Sequence, residues 1–581
     1  MAMVTRGAVA PPLSHRELSE ADITQLEDSI SAVASKAERW AKVSARERAG
    51  LLSQILRDSL AESAAWNADA SRAKGLIPGS GEAAEELFSG VGTFMRMTRV
   101  LRDSLLQIAD LGAPQVPGPF RTAPDGRLIA QVFPASALDK LLYAKTTGEV
   151  WMEPGVTEAS CLAGMAPAYR DPEAHAGVAL VLGAGNVASL GPRDVLSKLF
   201  VEGKVVVMKA NPVNEYLLPH WERAMASLIE AGYLRIVRGG TEVGQYLTAH
   251  PSISEIHVTG SDKTHDAIVF GLGEAGAKRK AADEPLLDKP MSCELGSVSP
   301  VIVVPGQWTE AELNYQAEHV ATMLANNAGF NCLTPRVIVT WAKWAQREDF
   351  LERLSAVLAT LPTRDAYYPG ARDRWQQFID AHPKALQIGE AHDQQLPWTI
   401  IADVNPKQVG DICLNVEAFC SLTSVTALEA ADVASFVDAA VDFCNDVVWG
   451  TLSSTILVSP KSLEDLATSD AVESAVANLR YGAIGVNLFH ALAFALGTTT
   501  WGAYPGHARN DIQSGNGFVG NALMFDHPQK SVVRGPFTNK PKPPWFATHR
   551  NAAKVMPKLI AFEAAPSWMK LPGLVLASLK A

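Results

Sequence analysis

Asn327-Ala328-Gly329-Phe330-Asn331-Cys332 stands between a helix and a strand, and its flanks decide the architecture. Upstream, Val301-Ile302-Val303-Val304 reads as a strand, and Leu313, Ala317, Val320, Ala321 and Leu324 follow the 3.6-residue period of a helix. Downstream the chain breaks at Gly329, presents Cys332, turns at Pro335 and enters a second strand, Val337-Ile338-Val339. A cysteine at such a break lies among free backbone N–H groups, which suit a thiolate and an oxyanion. Glu294, in Cys293-Glu294-Leu295-Gly296-Ser297, supplies a carboxylate from another element that could meet the sulfur in space. A thiol nucleophile beside a water-activating base points to a thioester that forms and is then hydrolysed.

Working outward, strands are expected at 178–182, 204–208, 234–237 and 255–259, with helical segments between them. A second alternating set runs from about 294 to 500. Strand–helix alternation at this spacing predicts α/β folding around parallel sheets. Residues 20–75 read as helices: Ile23, Leu26, Ile30, Val33, Ala37 and Trp40 make one apolar stripe, and Ser44 with Glu47 is a capping-box pair. Leu128–Phe133 and Gly148–Met152 look like strands. From Phe537 onward the chain is rich in proline and lysine and reads as an irregular extension. No internal repeat is visible.

A chain of 581 residues calls for two or three domains. Its net charge of −11 leaves no basic excess to displace counterions, so nucleic acid is not the expected partner. Six cysteines, without CxxC pairs, indicate neither a zinc site nor a disulfide framework, and no metal is expected. Met1 to Leu13 has no apolar h-region, and no run of 18 apolar residues occurs. The expectation is a cytoplasmic protein with no firm membrane association.

Gly183-Ala184-Gly185-Asn186-Val187-Ala188 follows a strand and fits G-x-G-x-x-G/A, a pyrophosphate-binding pattern. The next strand nevertheless ends in Lys209-Ala210-Asn211-Pro212 rather than in an acidic ribose ligand. Lys209 can donate to ribose hydroxyls or phosphate by another geometry. Thr259-Gly260-Ser261 is a second strand-to-helix turn suited to phosphate, with a plain tight turn as an equal reading.

Together these pieces resemble the aldehyde dehydrogenase superfamily, from about Trp40 to Phe537. The family's Asn-x-Gly-Gln-x-Cys element is similar to Asn327–Cys332, and its Glu-Leu-Gly-Gly-x-x-Pro element to Glu294–Pro300. Thr259-Gly260-Ser261, Glu417-Ala418-Phe419 and Gln513-Ser514-Gly515-Asn516-Gly517 match three further elements in order. The resemblance implies Cys332 as nucleophile, Glu294 as base and Asn186 as oxyanion donor. It implies NAD or NADP as cofactor, held by Lys209, Gly260, Ser261, Leu295, Glu417 and Phe419, and a small-molecule aldehyde as substrate. Phe330 replaces the usual glutamine and Ser297 the second glycine, changes of packing more than of chemistry. Pro212 stands where NAD-preferring members often carry glutamate, so a 2′-phosphate would meet no negative charge there.

The implied organisation is a helical part of the cofactor domain at 1–127, an oligomerisation arm at 128–168 and a Rossmann-like cofactor-binding domain at 169–290. A catalytic domain at 291–498, a return to the cofactor domain with an oligomerisation strand at 499–537, and an extension at 538–581 complete it. Arm strands near 129–133, 148–152 and 530–533 imply a homodimer or homotetramer.

Plainer readings stand beside these. Cys161, Cys293, Cys413, Cys420 and Cys444 read as inert core residues; Glu294 could be a cap or an ion-pair partner, Lys209 a solvated strand end, and Asn186 ordinary turn chemistry. The rivals to a hydrolytic aldehyde dehydrogenase reading are a CoA-acylating dehydrogenase, which has no use for a base at Glu294, and a non-catalytic member of the fold. The extension, with Trp545, Phe546, Trp568, Leu571, Leu574, Val575 and Leu576 among Lys554, Lys558, Lys570 and Lys580, could cover a subunit, cap a substrate tunnel or touch a membrane. Packing on the protein is the favoured choice.

Overall fold

The computed structural model describes Ala8 and residues 17–579. The leader reading at Met1 to Leu13 therefore lies, Ala8 apart, outside the described residues, as does Lys580.

Five segments, four of them containing β-branched residues, form a fully parallel sheet in the order Leu234–Val237, Val205–Lys209, Val178–Leu182, Glu255–Gly260, Met291–Leu295. Such strands are buried on both faces, as a parallel sheet with crossover helices requires. The first of the five in chain order, Val178–Leu182, lies mid-sheet. The chain winds outward from it in one direction and then returns to its other side at Glu255. That reversal opens a crevice at the carboxyl edge, where ligands of open α/β sheets bind. Lys209, Gly260 and Leu295 all close their strands on this edge.

The N-terminal helices form as their caps direct. Ser44 accepts from the Glu47 N–H while Glu47 answers the Ser44 N–H, opening the helix Ala45–Ala73. Its buried stripe of Leu52, Ile55, Leu56 and Trp66 joins Phe94, Met95, Met97 and Leu101 of the helix Thr93–Leu111 in one core with the five-stranded sheet.

The second sheet has eleven strands. Ser453–Leu457, Ser299–Val303, Pro335–Trp341, Leu422–Leu428 and Trp398–Val404 run parallel within it. At one side Pro528–Arg534 pairs parallel with Ala483–Val486 and antiparallel with Thr147–Met152, which pairs in turn with Leu128–Phe133. The three strands expected to form an arm thus run on, without a break, from the parallel strands of this same sheet.

The extension is not irregular throughout. Helices span Ala552–Ala564 and Leu571–Ser578. Val555, Met556, Leu559, Ile560 and Phe562 recur at helical spacing and enter the core of the N-terminal helices, and that burial outweighs Pro557, whose ring faces solvent. Glu563 accepts hydrogen bonds from Arg99 Nε and Nη2 at 3.0 and 2.7 Å, and Arg96 donates to Asp139 at 2.9 Å. All four charged side chains are buried, so the extension is locked to the body by an ion cluster as well as by apolar contact. Among the described residues, no helix is long and apolar enough to cross a membrane.

Candidate active site

The helix Glu310–Ala325 is opened by a Thr309–Glu312 capping box and buried over most of its circumference, so its end is firmly placed. Beyond it Asn327, Ala328 and Gly329 adopt φ of 50°, 53° and 77°, three consecutive left-handed residues. Two of the three carry a Cβ and are strained there. Gly329 is obligatory, because a Cβ would lie 2.2 Å from the Cys420 carbonyl oxygen.

That turn delivers Cys332 to the junction of the two sheets. It is half-buried, whereas the other five cysteines are buried. Glu294, the penultimate residue of its strand, is 1% exposed and lies against the Cys332 thiol and the Trp501 indole. Burial pushes the Glu294 carboxyl up to about 7, against the thiol's hydrogen bond, which lowers it. Burial and then the Glu294 charge hold the Cys332 thiol well above its ordinary range, and its own backbone N–H works the other way. Glu294 Oε1 has no hydrogen-bond partner. The sulfur and the carboxyl, from two different elements, meet as the sequence suggested.

Asn186 is buried beside this turn, and its Nδ2 donates to the Phe330 carbonyl at 2.9 Å. The residue expected to hold an oxyanion is therefore tied to the chain two residues before Cys332. Phe330 packs among Tyr367, Tyr368 and Phe419, an aromatic cluster with ring centroids 4.9 to 6.2 Å away.

Sequence reading missed the support beneath the turn. Lys74, 2% exposed, donates to Glu86 at 2.7 Å, to the Asn186 carbonyl at 3.0 Å and to Asn327 Oδ1 at 3.1 Å. The Tyr367 hydroxyl reaches the same two acceptors at 2.8 and 3.0 Å. Glu85 accepts from the Asn327 N–H at 2.8 Å and from Arg364 at 3.1 Å. No local sequence signal marked this pair, because Arg72, Glu82 and Glu85 lie beside it and the turn-like Gly75–Ser80 stretch separates its two members. Asp194 was missed too. It is wholly buried, accepts from the Thr259 hydroxyl at 2.9 Å, and is pushed well above the carboxylate range by burial, with the Glu294 charge adding to the rise.

Glu417 is buried against Gly296, where a Cβ would fall 2.0 Å from its Oε2. Burial raises its carboxyl to about 7, while the nearby Arg336 and the Ser297 N–H favour the charged form, and Oε1 is left without a partner. Phe419 sits at φ 42°, 4.9 Å from the Tyr368 ring. Leu295 is buried, and its N–H bonds the Ser514 carbonyl at 2.8 Å, so the Gln513–Gly517 run packs on the Glu294 strand.

On the crevice edge, Gly260 is exposed and Ser261 caps the helix Asp262–Val269. Gly185, in contrast, is closed off. A Cβ there would meet Asn211 Oδ1 at 2.7 Å and Val213 at 2.9 Å, so the G-x-G-x-x-A loop packs on the next strand end. Lys209 donates to its neighbouring Ala210 carbonyl at 3.3 Å, and burial lowers its ammonium against the opposing charges of Glu215 and Glu242. The inference from Pro212, that this place lacks negative charge, needs correction. Two carboxylates from later elements supply it, and a window of four residues after the strand could not reveal them.

His382, Asp411 and Cys413 form the one described group of three metal-capable side chains. They are bonded among themselves, with Asp411 Oδ1 3.1 Å from His382 Nε2 and 2.9 Å from the Cys413 N–H.

Comparison with known proteins agrees with this geometry. A model of the aldehyde dehydrogenase family matches residues 174–372, the span that holds Asn186, Glu294 and Cys332. Over that span the chain is similar to the aldehyde dehydrogenase family. A probable aldehyde dehydrogenase of Streptomyces coelicolor is 25% identical over 360 residues, 58% of this chain and 62% of the relative. A coniferyl aldehyde dehydrogenase of a Pseudomonas species is 25% identical over 319 residues, 51% of this chain and 59% of its own length. The chain thus spans about three fifths of these curated relatives. Among solved structures, an indole-3-acetaldehyde dehydrogenase complexed with NAD+ aligns at TM-score 0.61 and 15% identity, over 92% of this chain and 97% of that one. An NADP-dependent glyceraldehyde-3-phosphate dehydrogenase of Bacillus halodurans, complexed with NADP, aligns at TM-score 0.57 and 15% identity over 88% and 91%. Such structural likeness identifies the aldehyde dehydrogenase fold.

Proposed function

We propose that this chain oxidises an aldehyde to a carboxylic acid, using NAD or NADP, through a thioester on Cys332. The observation that carries the reading is the half-buried Cys332 thiol lying against the buried Glu294 carboxyl.

The residues present fit a dinucleotide. Glu417 Oε1 and Glu242 Oε2 are enclosed acceptors without partners, suited to ribose hydroxyls, and Lys209 supplies a donor on the same crevice edge. Gly260 leaves the N-terminus of the helix Asp262–Val269 uncovered for a phosphate. When bound, the nicotinamide supplies the hydride acceptor that converts the thiohemiacetal to the thioester.

The chain's own part begins with deprotonation of Cys332. Its sulfur forms a bond to the aldehyde carbon, and the carbonyl π pair moves onto oxygen. The Cys332 backbone N–H and the Asn186 amide stabilise that oxyanion, each good donor contributing roughly 3–4 kcal/mol. After oxidation, Glu294 takes a proton from water and the resulting hydroxide attacks the thioester carbon. The C–S bond then breaks and the thiolate is regenerated. A carboxyl at about 7 is matched to that base role at neutral pH.

A panel of aldehydes run with NAD and with NADP, on wild type and C332A, tests the reading. Reduced cofactor formed by wild type and abolished in C332A supports it, and unchanged oxidation in C332A removes the nucleophile. An acyl-CoA product formed only when CoA is added would transfer the assignment to the CoA-acylating class.

A further inference from the structure

The tip of the C-terminal extension exposes several large apolar side chains close together in the chain. Trp568 is 61% exposed, Met569 91%, Leu576 63% and Leu579 59%, all within twelve residues. Leu571 and Leu574 of the same segment face inward and are buried, so the outward set is a face rather than a disordered run. Clustered large apolar side chains on an otherwise polar surface mark an interaction site.

The exposed charges of the extension itself have one sign. Between residues 545 and 579 the charged side chains are Arg550, Lys554, Lys558, Lys570 and Glu563. The four basic residues are exposed, while Glu563 is buried and neutralised by Arg96 and Arg99. The Lys558 ammonium lies 3.9 Å from the position of a Cβ on Gly573, directly beside the apolar helix. In a chain of net charge −11, residues 545–579 expose only basic charges, beside exposed tryptophan, methionine and leucine.

We propose that this tip docks on an anionic lipid membrane. Lysines beside an apolar face are attracted to acidic headgroups, and a tryptophan ring suits the headgroup boundary. The eight-residue helix Leu571–Ser578 is about 12 Å long, far short of a bilayer core, so the attachment is interfacial and reversible. A second copy is the less suitable occupant. A two-fold pairing through this face would set lysine against lysine with no exposed carboxylate of the extension between them.

Co-sedimentation of the full chain with vesicles, either phosphatidylcholine alone or phosphatidylcholine with phosphatidylglycerol, tests this. Binding should require phosphatidylglycerol, weaken at least tenfold between low and high salt, and fall at least tenfold in W568S/M569S/L576S and in K554E/K558E. These side chains are exposed, so melting curves of both variants should match wild type and show that the loss is not unfolding. Absence of binding, or binding that the two variants leave unchanged, overturns the proposal. A concentration-dependent dimer dissolved by W568S/M569S/L576S, without vesicle binding, also overturns it and gives the face to a second copy.

Discussion

The Cys332 thiol donates toward the Glu294 carboxyl, a contact between a loop and a strand end 38 positions apart. The pair restrains itself, because the carboxylate's charge opposes formation of the thiolate on which the first chemical step depends. Replacing Glu294 by glutamine should therefore have two opposite effects. Alkylation of Cys332 by iodoacetamide should quicken at pH 8, and steady-state turnover should fall by about 10²- to 10⁴-fold for want of the base. A burst of about one reduced cofactor per chain should survive in E294Q. Loss of the burst together with turnover would place Glu294 in the first half of the reaction instead.

The same residue links stability to pH. Its carboxyl is raised from 4.5 to about 7 in the folded chain, so the folded state holds the proton more tightly than the unfolded one. Stability contributed by the protonated form is complete below 4.5 and is lost as pH climbs through 7. At pH 8, E294Q should thus be more stable than wild type, by up to about 3 kcal/mol at 1.36 kcal/mol per pKa unit. At pH 4.5 the difference should nearly vanish. Denaturant melts of both proteins at the two pH values read the effect directly.

Gly296 makes room for Glu417. A methyl group added there would fall 2.0 Å from Glu417 Oε2, and the carboxyl cannot retreat freely because it is buried beside Arg336 and the Ser297 N–H. G296A should displace Glu417 from the crevice and weaken NAD(P) binding by about tenfold, the loss of one hydrogen bond to a charged group. Fluorescence titration of reduced cofactor measures this, with far-UV circular dichroism as the control for folding.

Where periodicity or a cap carries the signal, the sequence read closely. Glu310–Ala325, the Ser44–Glu47 box and all four strands from Val178 to Gly260 stand within a residue or two of expectation. Cys332 and Glu294 were legible because each lies in a short pattern with glycine beside it. Lys74 was not, since a buried lysine at a helix end has no local mark that separates it from a solvated one; only its distant partners define it. Glu215 and Glu242 share that obscurity, as their meeting with Lys209 depends on how a strand end and two helical turns converge at one sheet edge. The extension's helices were hidden by the prolines before them and by Pro557 within, although their apolar spacing is regular.

Lys74 and Glu86 form a buried ion pair under the Asn327–Cys332 turn, each about 2% exposed. K74M leaves the Glu86 charge without its partner and should cost about 3–5 kcal/mol of stability. K74M/E86L removes both charges and should recover most of that loss. It should not recover kcat, because the Asn186 carbonyl and Asn327 Oδ1 still lack the ammonium that holds them. Full kcat in the stable double variant would reduce Lys74 to a structural residue; a persistent kcat deficit at unchanged KM assigns it to positioning the turn.

The choice between cofactors follows from what surrounds Lys209. Glu215 Oε1 accepts from the Gly239 N–H and Glu242 Oε1 from the Gly240 N–H, each at 3.1 Å, so both carboxylates are pinned at the crevice edge. Both also act electrostatically on the Lys209 ammonium. A ribose 2′-hydroxyl beside Lys209 would find acceptors there, whereas a 2′-phosphate would bring about two negative charges against two more. NAD should accordingly be used with a higher kcat/KM than NADP. E242Q, which keeps the acceptor oxygen and removes a charge, should narrow the ratio by improving NADP about tenfold, in line with about 1.4 kcal/mol of lost repulsion. A wild type that prefers NADP, or a ratio unmoved in both E242Q and E215Q, would show that the nucleotide ribose lies elsewhere on the edge.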